Sequence, residues 1–169
     1  MSIKREKFIG VKEVYASKMN RQDYNTYRGW KLPDDEDGSD EGYLVEHLDG
    51  GQANHPAHKG YISWSPKDVF EKAYHSIVGM SFGFAIEAVK KGAKIARIGW
   101  NGKNMFVVYQ KGYPQGISCN VQTAIAWGMK EGDLFKHEPY LQIQMVNGSH
   151  SMWVPSINDI LSNDWFIKD

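Results

Sequence analysis

The sequence predicts an α+β fold of two small modules, the C-terminal one an antiparallel sheet with a leading helix and a short late helix. The chain has 169 residues, which is enough for two small domains. Hydrophobic residues make up 41% and charged residues 24%, as in an ordinary globular protein rather than a disordered one. In the second half, an Asn-Gly pair between two apolar runs is a strong signal for an antiparallel hairpin.

The first module opens with an alternating segment, residues 7–15, which predicts a strand. Asn20 is placed to cap a short helix over residues 21–27, and Gly29 is placed to stop it. Residues 33–42 contain six acidic side chains and two glycines, which is typical of a solvated loop.

Two further strands are expected at residues 43–47 and 61–64, joined by a loop too rich in Gly and Pro for a tight hairpin. A second helix should follow directly. Ser65 can serve as its N-cap, with Pro66 at the first helical position and Asp68 in the first turn.

We predict that the first module spans residues 1–78 and the second spans residues 79–169. Gly79 breaks the preceding helix, and Met80 stands where a free-standing second module would begin. A new helix is expected from apolar residues at helical spacing, ending at Gly92: Phe82, Ala85, Ile86 and Val89.

The rest of the second module is mainly strands. Residues 93–98 and 105–110 favour two strands, with Trp100 at the tip of the turn between them, and residues 120–127 favour a short helix. Three elements are expected to close the chain: a hairpin pairing 140–146 with 151–154 through Asn147-Gly148, a short helix capped by Ser156, and a strand at 164–167.

Composition limits the classes of partner. Twenty basic residues balance twenty acidic ones, so net charge gives no attraction toward nucleic acid or an anionic membrane. No apolar stretch approaches the roughly 20 residues that span a bilayer, and no secretory signal is visible. The single cysteine, Cys119, cannot form an intrachain disulfide. We therefore expect a cytoplasmic protein with no nucleic-acid or membrane partner.

No familiar catalytic motif is present: there is no P-loop, nucleophile elbow, HExxH or CxxC. Carboxylates of the second module could still meet in space for acid–base chemistry, although nothing in their spacing selects a pair: Asp133, Glu138, Asp159 and Asp164. We expect no catalytic residues and a binding protein rather than an enzyme, with an enzyme assembled without local motifs as an open alternative.

A metal-like group lies in the first module, where imidazole and carboxylate side chains of the kind that bind zinc occur close together: His47, Asp49, His55 and His58. Their spacing matches no familiar framework, and histidines in such a loop are usually solvated. The prediction is therefore no metal and no cofactor.

A more promising group lies in the second module at strand ends and at the turn into a helix: Arg97, Trp100, Trp153, Ser156 and Asp159. Such positions place side chains at a rim. Indole faces stack on purines, and a guanidinium offers planar donors to phosphate. The free N–H groups of a helix start can bind an anion, and a carboxylate can accept from ribose hydroxyls. Packing and helix-capping roles would explain the same residue types, so a binding site and a purely structural role are both open interpretations.

Residues 80–169 resemble the Thoeris anti-defense type 2 family of phage proteins. The resemblance rests on three segments in the right order: SFGFAIEAVKKGAKIARIGWNGKNMF, PYLQIQM and WVPSINDILSNDW. It implies a non-enzymatic sponge that sequesters cyclic ADP-ribose isomers made by TIR-domain sensors. It also implies a homo-oligomer, commonly a tetramer, with pockets between subunits, and cyclic dinucleotides as a further ligand class in some relatives.

Carried onto this chain, the resemblance implies stacking by Trp100 and Trp153, polar contacts by Ser156 and Asp159, and a phosphate contact by Arg97. Residues 112–137 are expected to be long for a compact member of the family. The first module, with YNTYRGW, DEGYLVEHLDGG and GYISWSP, resembles a small phage and prophage module of unknown activity. A module that binds and inhibits a host or defense protein is the alternative function.

Overall fold

A computed structural model describes residues 6–169 and divides the chain into two compact units, Met1–His75 and Ser76–Asp169. Both units combine helices with antiparallel strands, so the predicted α+β fold is confirmed. Across residues 6–169, no helix has the length and apolar character needed to cross a bilayer.

The elements of the first unit along the chain are β1 (Val14–Lys18), α1 (Arg21–Arg28), β2 (Gly42–His47), β3 (Tyr61–Pro66) and α2 (Lys67–Ala73). Its three strands form an antiparallel sheet in the order β1-β2-β3. Its small core consists of Tyr24, Leu44 and Ile62, with Met19 and Trp64 packed against it. The indole N–H of Trp64 donates to the backbone oxygen of Met19 over 2.9 Å, which fixes the ring at the edge of this core.

Helix α1 forms as the sequence predicts. The side chain of Asn20 accepts a hydrogen bond from the backbone N–H of Asp23, and Gly29 ends the helix in the left-handed conformation with φ of 68°. A residue with a Cβ would be strained there, which is why a glycine marks the helix end.

Two predictions in this unit are wrong. The strand expected at 7–15 begins only at Val14, because its partner β2 ends opposite it at His47, and earlier residues such as Phe8 and Ile9 are exposed. Ser65 does not cap α2. It belongs to β3 and pairs with Tyr43, so the strand ladder holds its backbone and the helix starts after Pro66.

The elements of the second unit along the chain are β4 (Val78–Met80), α3 (Phe82–Lys90), β5 (Lys94–Arg97), β6 (Phe106–Gln110), β7 (Tyr113–Ser118), α4 (Val121–Trp127), β8 (Leu134–His137), β9 (Tyr140–Gln144), β10 (His150–Trp153), α5 (Ile157–Leu161) and β11 (Trp165–Lys168). Its strands form a six-stranded antiparallel sheet in the order β10-β9-β6-β5-β11-β4 and a separate two-stranded sheet, β7-β8.

The core of this unit lies between α3 and the six-stranded sheet. Ala85 and Val89 of the helix pack with Ile95 and Val107 of the sheet, and Trp165 is fully buried among them. Complete burial of a Val or Ile side chain contributes roughly 1.5–3 kcal/mol. The predicted leading helix, the hairpin of β9 and β10 and the short late helix are all confirmed.

Residues 112–137 contain the paired strands β7 and β8, which α4 connects along the chain. We call this segment the arm. The helix was expected, but both strands were missed. Pro114 and Gly116 within β7 are typical of turns, and Gly116 has a positive φ of 90°.

Candidate functional site

The structure brings the five predicted site residues together in one cluster of contacting side chains in the second unit. Strand β5 ends at Arg97, which pairs with Trp165 at the start of β11. Trp100 lies in the turn after β5, and β10 ends at Trp153 shortly before α5. Because β5 pairs with β11, Arg97 also reaches Asp164, which lies 67 positions later in the sequence.

Asp159 lies at the centre of this cluster and is 8% exposed. One carboxylate oxygen accepts from the backbone N–H and the hydroxyl of Ser156, at 3.0 Å and 2.7 Å. The other accepts from Arg97 Nη1 at 2.8 Å and from Trp100 Nε1 at 3.1 Å. The backbone N–H of Asp159 donates in return to Ser156 Oγ over 3.1 Å, completing a capping box at the start of α5.

These contacts keep the Asp159 carboxylate ionised. Burial alone would raise its pKa, but the hydrogen bonds from Ser156, Arg97 and Trp100 outweigh it and lower the pKa from 3.8 to about 2. The carboxylate therefore carries a fixed charge that orients the surrounding donors.

Arg97 lies between two carboxylates. Its Nε donates to Asp164 Oδ1 at 2.7 Å and its Nη2 to Asp164 Oδ2 at 3.3 Å, a bidentate pair beside the contact with Asp159. The hydrogen bond to Asp164 is the main cause that raises the pKa of Arg97, and the same bond lowers the pKa of Asp164. Three of the five guanidinium N–H groups are thus used within the protein.

Gly99 allows this arrangement because its backbone N–H donates to Asp164 Oδ2 over 2.8 Å. A Cβ on Gly99 would lie only 2.8 Å from that same oxygen, so the close approach favours glycine. The Gly99-Trp100 pair of the predicted turn therefore has a structural reason. Gly99 leaves room for the Asp164 carboxylate, and Trp100 supplies the indole of the cluster.

Three indoles pack edge to face beside Asp159. The ring centroids of Trp100 and Trp153 are 6.0 Å apart, and those of Trp100 and Trp165 are 5.5 Å apart, with interplanar angles of 74° and 77°. Trp165 is completely buried and donates its N–H to the backbone oxygen of Asp159 at 3.0 Å. Trp100 and Trp153 are only partly buried, so each keeps some indole surface accessible.

The sequence reasoning missed Trp165 and gave Asp164 no binding or positioning role. Trp165 anchors the other two indoles, and Asp164 holds Arg97 in place. Asp164 and Trp165 end the segment WVPSINDILSNDW, but no local spacing in the sequence shows that the Trp165 indole is buried.

Exposed apolar side chains border the cluster along β10 and α5. We call this set the apolar rim: Met152, Val154, Ile157, Ile160 and Leu161, whose exposure ranges from 42% to 85%. Isolated exposed apolar residues are common, but five within ten positions form a surface suited to contact with another molecule.

The other groups named from the sequence do not form a metal site within the described residues. Asp133 accepts from the backbone N–H of Lys130, which fixes a turn at the end of the arm. In the first unit, His47 contacts Ser63 and Asp49 pairs with Lys12. Within residues 6–169, no three His, Cys, Asp or Glu side chains are placed to hold a metal ion.

Comparison with known proteins places the cluster within a recognised domain. The profile of the Thoeris anti-defense 2-like domain matches residues 80–168. The chain belongs to the Thoeris anti-defense 2-like family. A relative, Thoeris anti-defense 2 of Bacillus phage SP01, is 35% identical over 91 residues, which cover 52% of this chain and 93% of the relative.

The anti-defense domain therefore corresponds to the second unit and contains the whole Asp159 cluster. The family resemblance drawn from the three sequence segments is confirmed. The matched range also spans the arm of residues 112–137. Residues 6–75 lie outside the match.

Proposed function

We propose that the anti-defense domain binds and sequesters cyclic nucleotide immune signals, specifically cyclic ADP-ribose isomers made by TIR-domain proteins, without converting them. Cyclic dinucleotides are a second ligand class that the proposal includes. The observation that carries it is a pair of partly exposed indoles, Trp100 and Trp153, held in fixed orientation beside a buried ionised carboxylate.

Stacking supplies the main attraction in this proposal. An aromatic face contributes roughly 1–3 kcal/mol per stacked base and accepts any purine. Trp100 cannot rotate freely, because its N–H is bonded to Asp159 and its ring packs on Trp165. A preorganised ring loses little entropy when a ligand binds, which favours tight retention.

The polar residues take separate parts. Arg97 has two guanidinium N–H groups left for a phosphate after its bonds to Asp159 and Asp164. Both oxygens of Asp159 already accept two hydrogen bonds, so this residue acts mainly by positioning Trp100, Arg97 and Ser156. Ser156 is exposed at the start of α5 and is the polar contact closest to solvent.

The apolar rim supports a binding site shared between copies of the chain. Val154 and Leu161 are 85% and 74% exposed, and they flank the residues that hold the indoles. Burial of such a surface against a second subunit would enclose a ligand on Trp153 from the open side. A homo-oligomer is therefore part of the proposal, and the family resemblance implies a tetramer.

The chemistry of the cluster favours retention over catalysis. General acid–base catalysis at neutral pH needs a group that can exchange a proton near that pH. The pKa of Asp159 is about 2, that of Asp164 is also lowered, and that of Arg97 is raised, so all three stay charged.

The test is recovery of intact ligand. The full chain is mixed with a cyclic ADP-ribose isomer, free ligand is removed by filtration, and the protein is heat-denatured before mass spectrometry of the released material. We expect stoichiometric release of unchanged ligand, and linear ADP-ribose serves as the control for recognition of the ring. Release of a hydrolysed product would make the protein an enzyme, and absence of ligand would reject the proposal.

A second candidate, inhibition of a host or defense protein, is favoured by the same apolar rim. It predicts one abundant protein partner in a pulldown from host lysate and no nucleotide released on heating. Replacement of Leu161 by Asp separates the two, because it would abolish capture of the partner in the second candidate. In the first it would change the oligomeric state measured by light scattering.

A further inference from the structure

A hydrogen-bonded chain of three side chains lies in the first unit, outside the residues that the family profile matches. The hydroxyl of Tyr27 on α1 is 2.9 Å from His58 Nε2, and His58 Nδ1 is 2.9 Å from Glu46 Oε2 on β2. We call these residues the tyrosine relay. Hydroxyl, imidazole and carboxylate follow one another in the order that activates a nucleophile in hydrolase triads, with a phenol in place of the serine.

The carboxylate end of the relay is fixed. Glu46 Oε1 accepts from the backbone N–H groups of Lys59 and Gly60, both at 3.0 Å, while Oε2 faces His58. The hydrogen bond from His58, followed by that from Gly60, lowers the pKa of Glu46. An ionised carboxylate in this position favours a proton on His58 Nδ1, which leaves Nε2 free to accept the proton of the Tyr27 hydroxyl.

The loop that carries His58 is also held independently of the relay. Asn54 donates to the backbone oxygen of Ile62 at 2.9 Å and accepts from its N–H at 2.8 Å. The ring of His55 stacks on Tyr27 with centroids 4.4 Å apart, which fixes the phenol from the other side. The groups facing His58 are therefore Tyr27 from α1, Glu46 from β2 and His55 from its own loop.

The geometry points to Tyr27 as a nucleophile, activated by His58 as general base, that accepts acyl groups from activated esters. Tyr27 is 38% exposed, so a reagent can reach it. In the step, the phenol oxygen forms a bond to the acyl carbon while the bond from that carbon to the ester oxygen breaks. The phenol proton passes to His58 Nε2 and then to the departing alkoxide, so the products are an acylated Tyr27 and an alcohol.

The test uses p-nitrophenyl acetate with the full chain and peptide mass spectrometry to measure acetylation at each tyrosine. Tyr15 is the internal control, because it is 67% exposed on β1 and makes no hydrogen bond to a histidine within residues 6–169. General base assistance is typically worth about 100-fold or more in rate. We expect Tyr27 to be acetylated at least about tenfold faster than Tyr15 at neutral pH.

Two variants separate activation from a structural role. In His58→Gln the Tyr27 rate should fall to that of Tyr15, with Tyr15 unchanged, and in Tyr27→Phe the fast acetylation should vanish. An unassisted phenol reacts as its phenolate, which forms near pH 10, so fast acetylation at neutral pH requires assistance from a base. Equal rates at Tyr27 and Tyr15 in the wild-type protein, or a Tyr27 rate unaffected by His58→Gln, would overturn the assignment.

Discussion

The Asp159 cluster and the tyrosine relay both place a carboxylate beside an aromatic hydrogen-bond donor, but their protons behave differently. Asp159 bonds to Arg97, whose guanidinium keeps its proton at all ordinary pH values. Glu46 bonds to His58, whose imidazole can donate a proton from one ring nitrogen and accept one at the other. The first arrangement suits a rigid binding surface and the second suits proton transfer, although the carboxylates contact similar numbers of donors.

Exposure of the aromatic residues separates the two clusters further. Trp165 beside Asp159 is fully buried, whereas Tyr27 is 38% exposed. The two carboxylates are buried to a similar degree, because the Asp159 and Glu46 side chains are 12% and 15% exposed. We therefore expect replacements in the Asp159 cluster to affect stability strongly, and replacements in the relay to affect reactivity more than stability.

The largest effect is expected for Asp159→Asn. This change removes the charge that pairs with Arg97 and turns an amide N–H₂ toward donors that already point at the position. Removal of one partner of a buried ion pair costs about 3 kcal/mol or more. Urea denaturation measures the change, with exposed Asp133→Asn as the matched control near wild-type stability. Equal effects of the two variants would show that the cluster does not stabilise the domain.

Acid should weaken the anti-defense domain through the same residue. The pKa of Asp159 is about 2 in the folded protein against 3.8 for an unperturbed carboxyl, so its contribution is complete above about pH 4. As the pH falls toward 2, about 2 kcal/mol of stability is lost. Urea denaturation between pH 6 and pH 2 measures this loss, and it should be smaller in Asp159→Asn. An identical pH dependence in the variant would contradict the assignment.

Helix caps allow a direct comparison between units. Ser156→Ala removes the cap of α5 and a hydrogen bond to Asp159, whereas Asn20→Ala removes only the cap of α1. Loss of a cap costs about 1 kcal/mol, and we expect about 2 kcal/mol for Ser156 because of the second bond. Denaturation of both variants provides the measurement. A larger effect at Asn20 would mean that the bond between Ser156 and Asp159 adds nothing.

The smallest effect on stability is expected for His58→Gln. The loop keeps its bonds between Asn54 and Ile62, and Glu46 keeps its two backbone N–H donors, so the melting temperature should shift less than in either cap variant. Thermal unfolding followed by circular dichroism checks this. A shift as large as that of Asp159→Asn would remove the distinction drawn between the two clusters.

Local signals in the sequence predicted the elements whose start or end depends on neighbouring residues. Asn20 and Gly29 delimit α1, Ser156 caps α5, and Asn147-Gly148 joins β9 to β10. Each of these depends on hydrogen bonds or backbone conformations within a few residues, which a sequence displays directly. The boundary of the second module at residue 79 stays a prediction. The sequestration of cyclic nucleotide signals by this module also stays a prediction, and it rests on the family.

Elements that depend on distant partners could not be predicted in the same way. Strand β4 is three residues long and exists because it pairs with β11 at the other end of the domain. The bond between Arg97 and Asp164 joins residues 67 positions apart, and the burial of Trp165 requires both α3 and the sheet. The sequence predicted which residues gather near the site, but their hydrogen bonds to one another come from the tertiary fold.

Calorimetric titration of a cyclic ADP-ribose isomer into tryptophan variants tests the central claim most directly. Trp100→Ala and Trp153→Ala should abolish measurable binding while the domain stays folded. The matched control is Trp127→Ala, because this indole lies on α4, is 69% exposed and contacts Phe135 instead of the cluster. It should bind as the wild type does. Normal affinity in either cluster variant, or loss of binding in Trp127→Ala alone, would contradict the account.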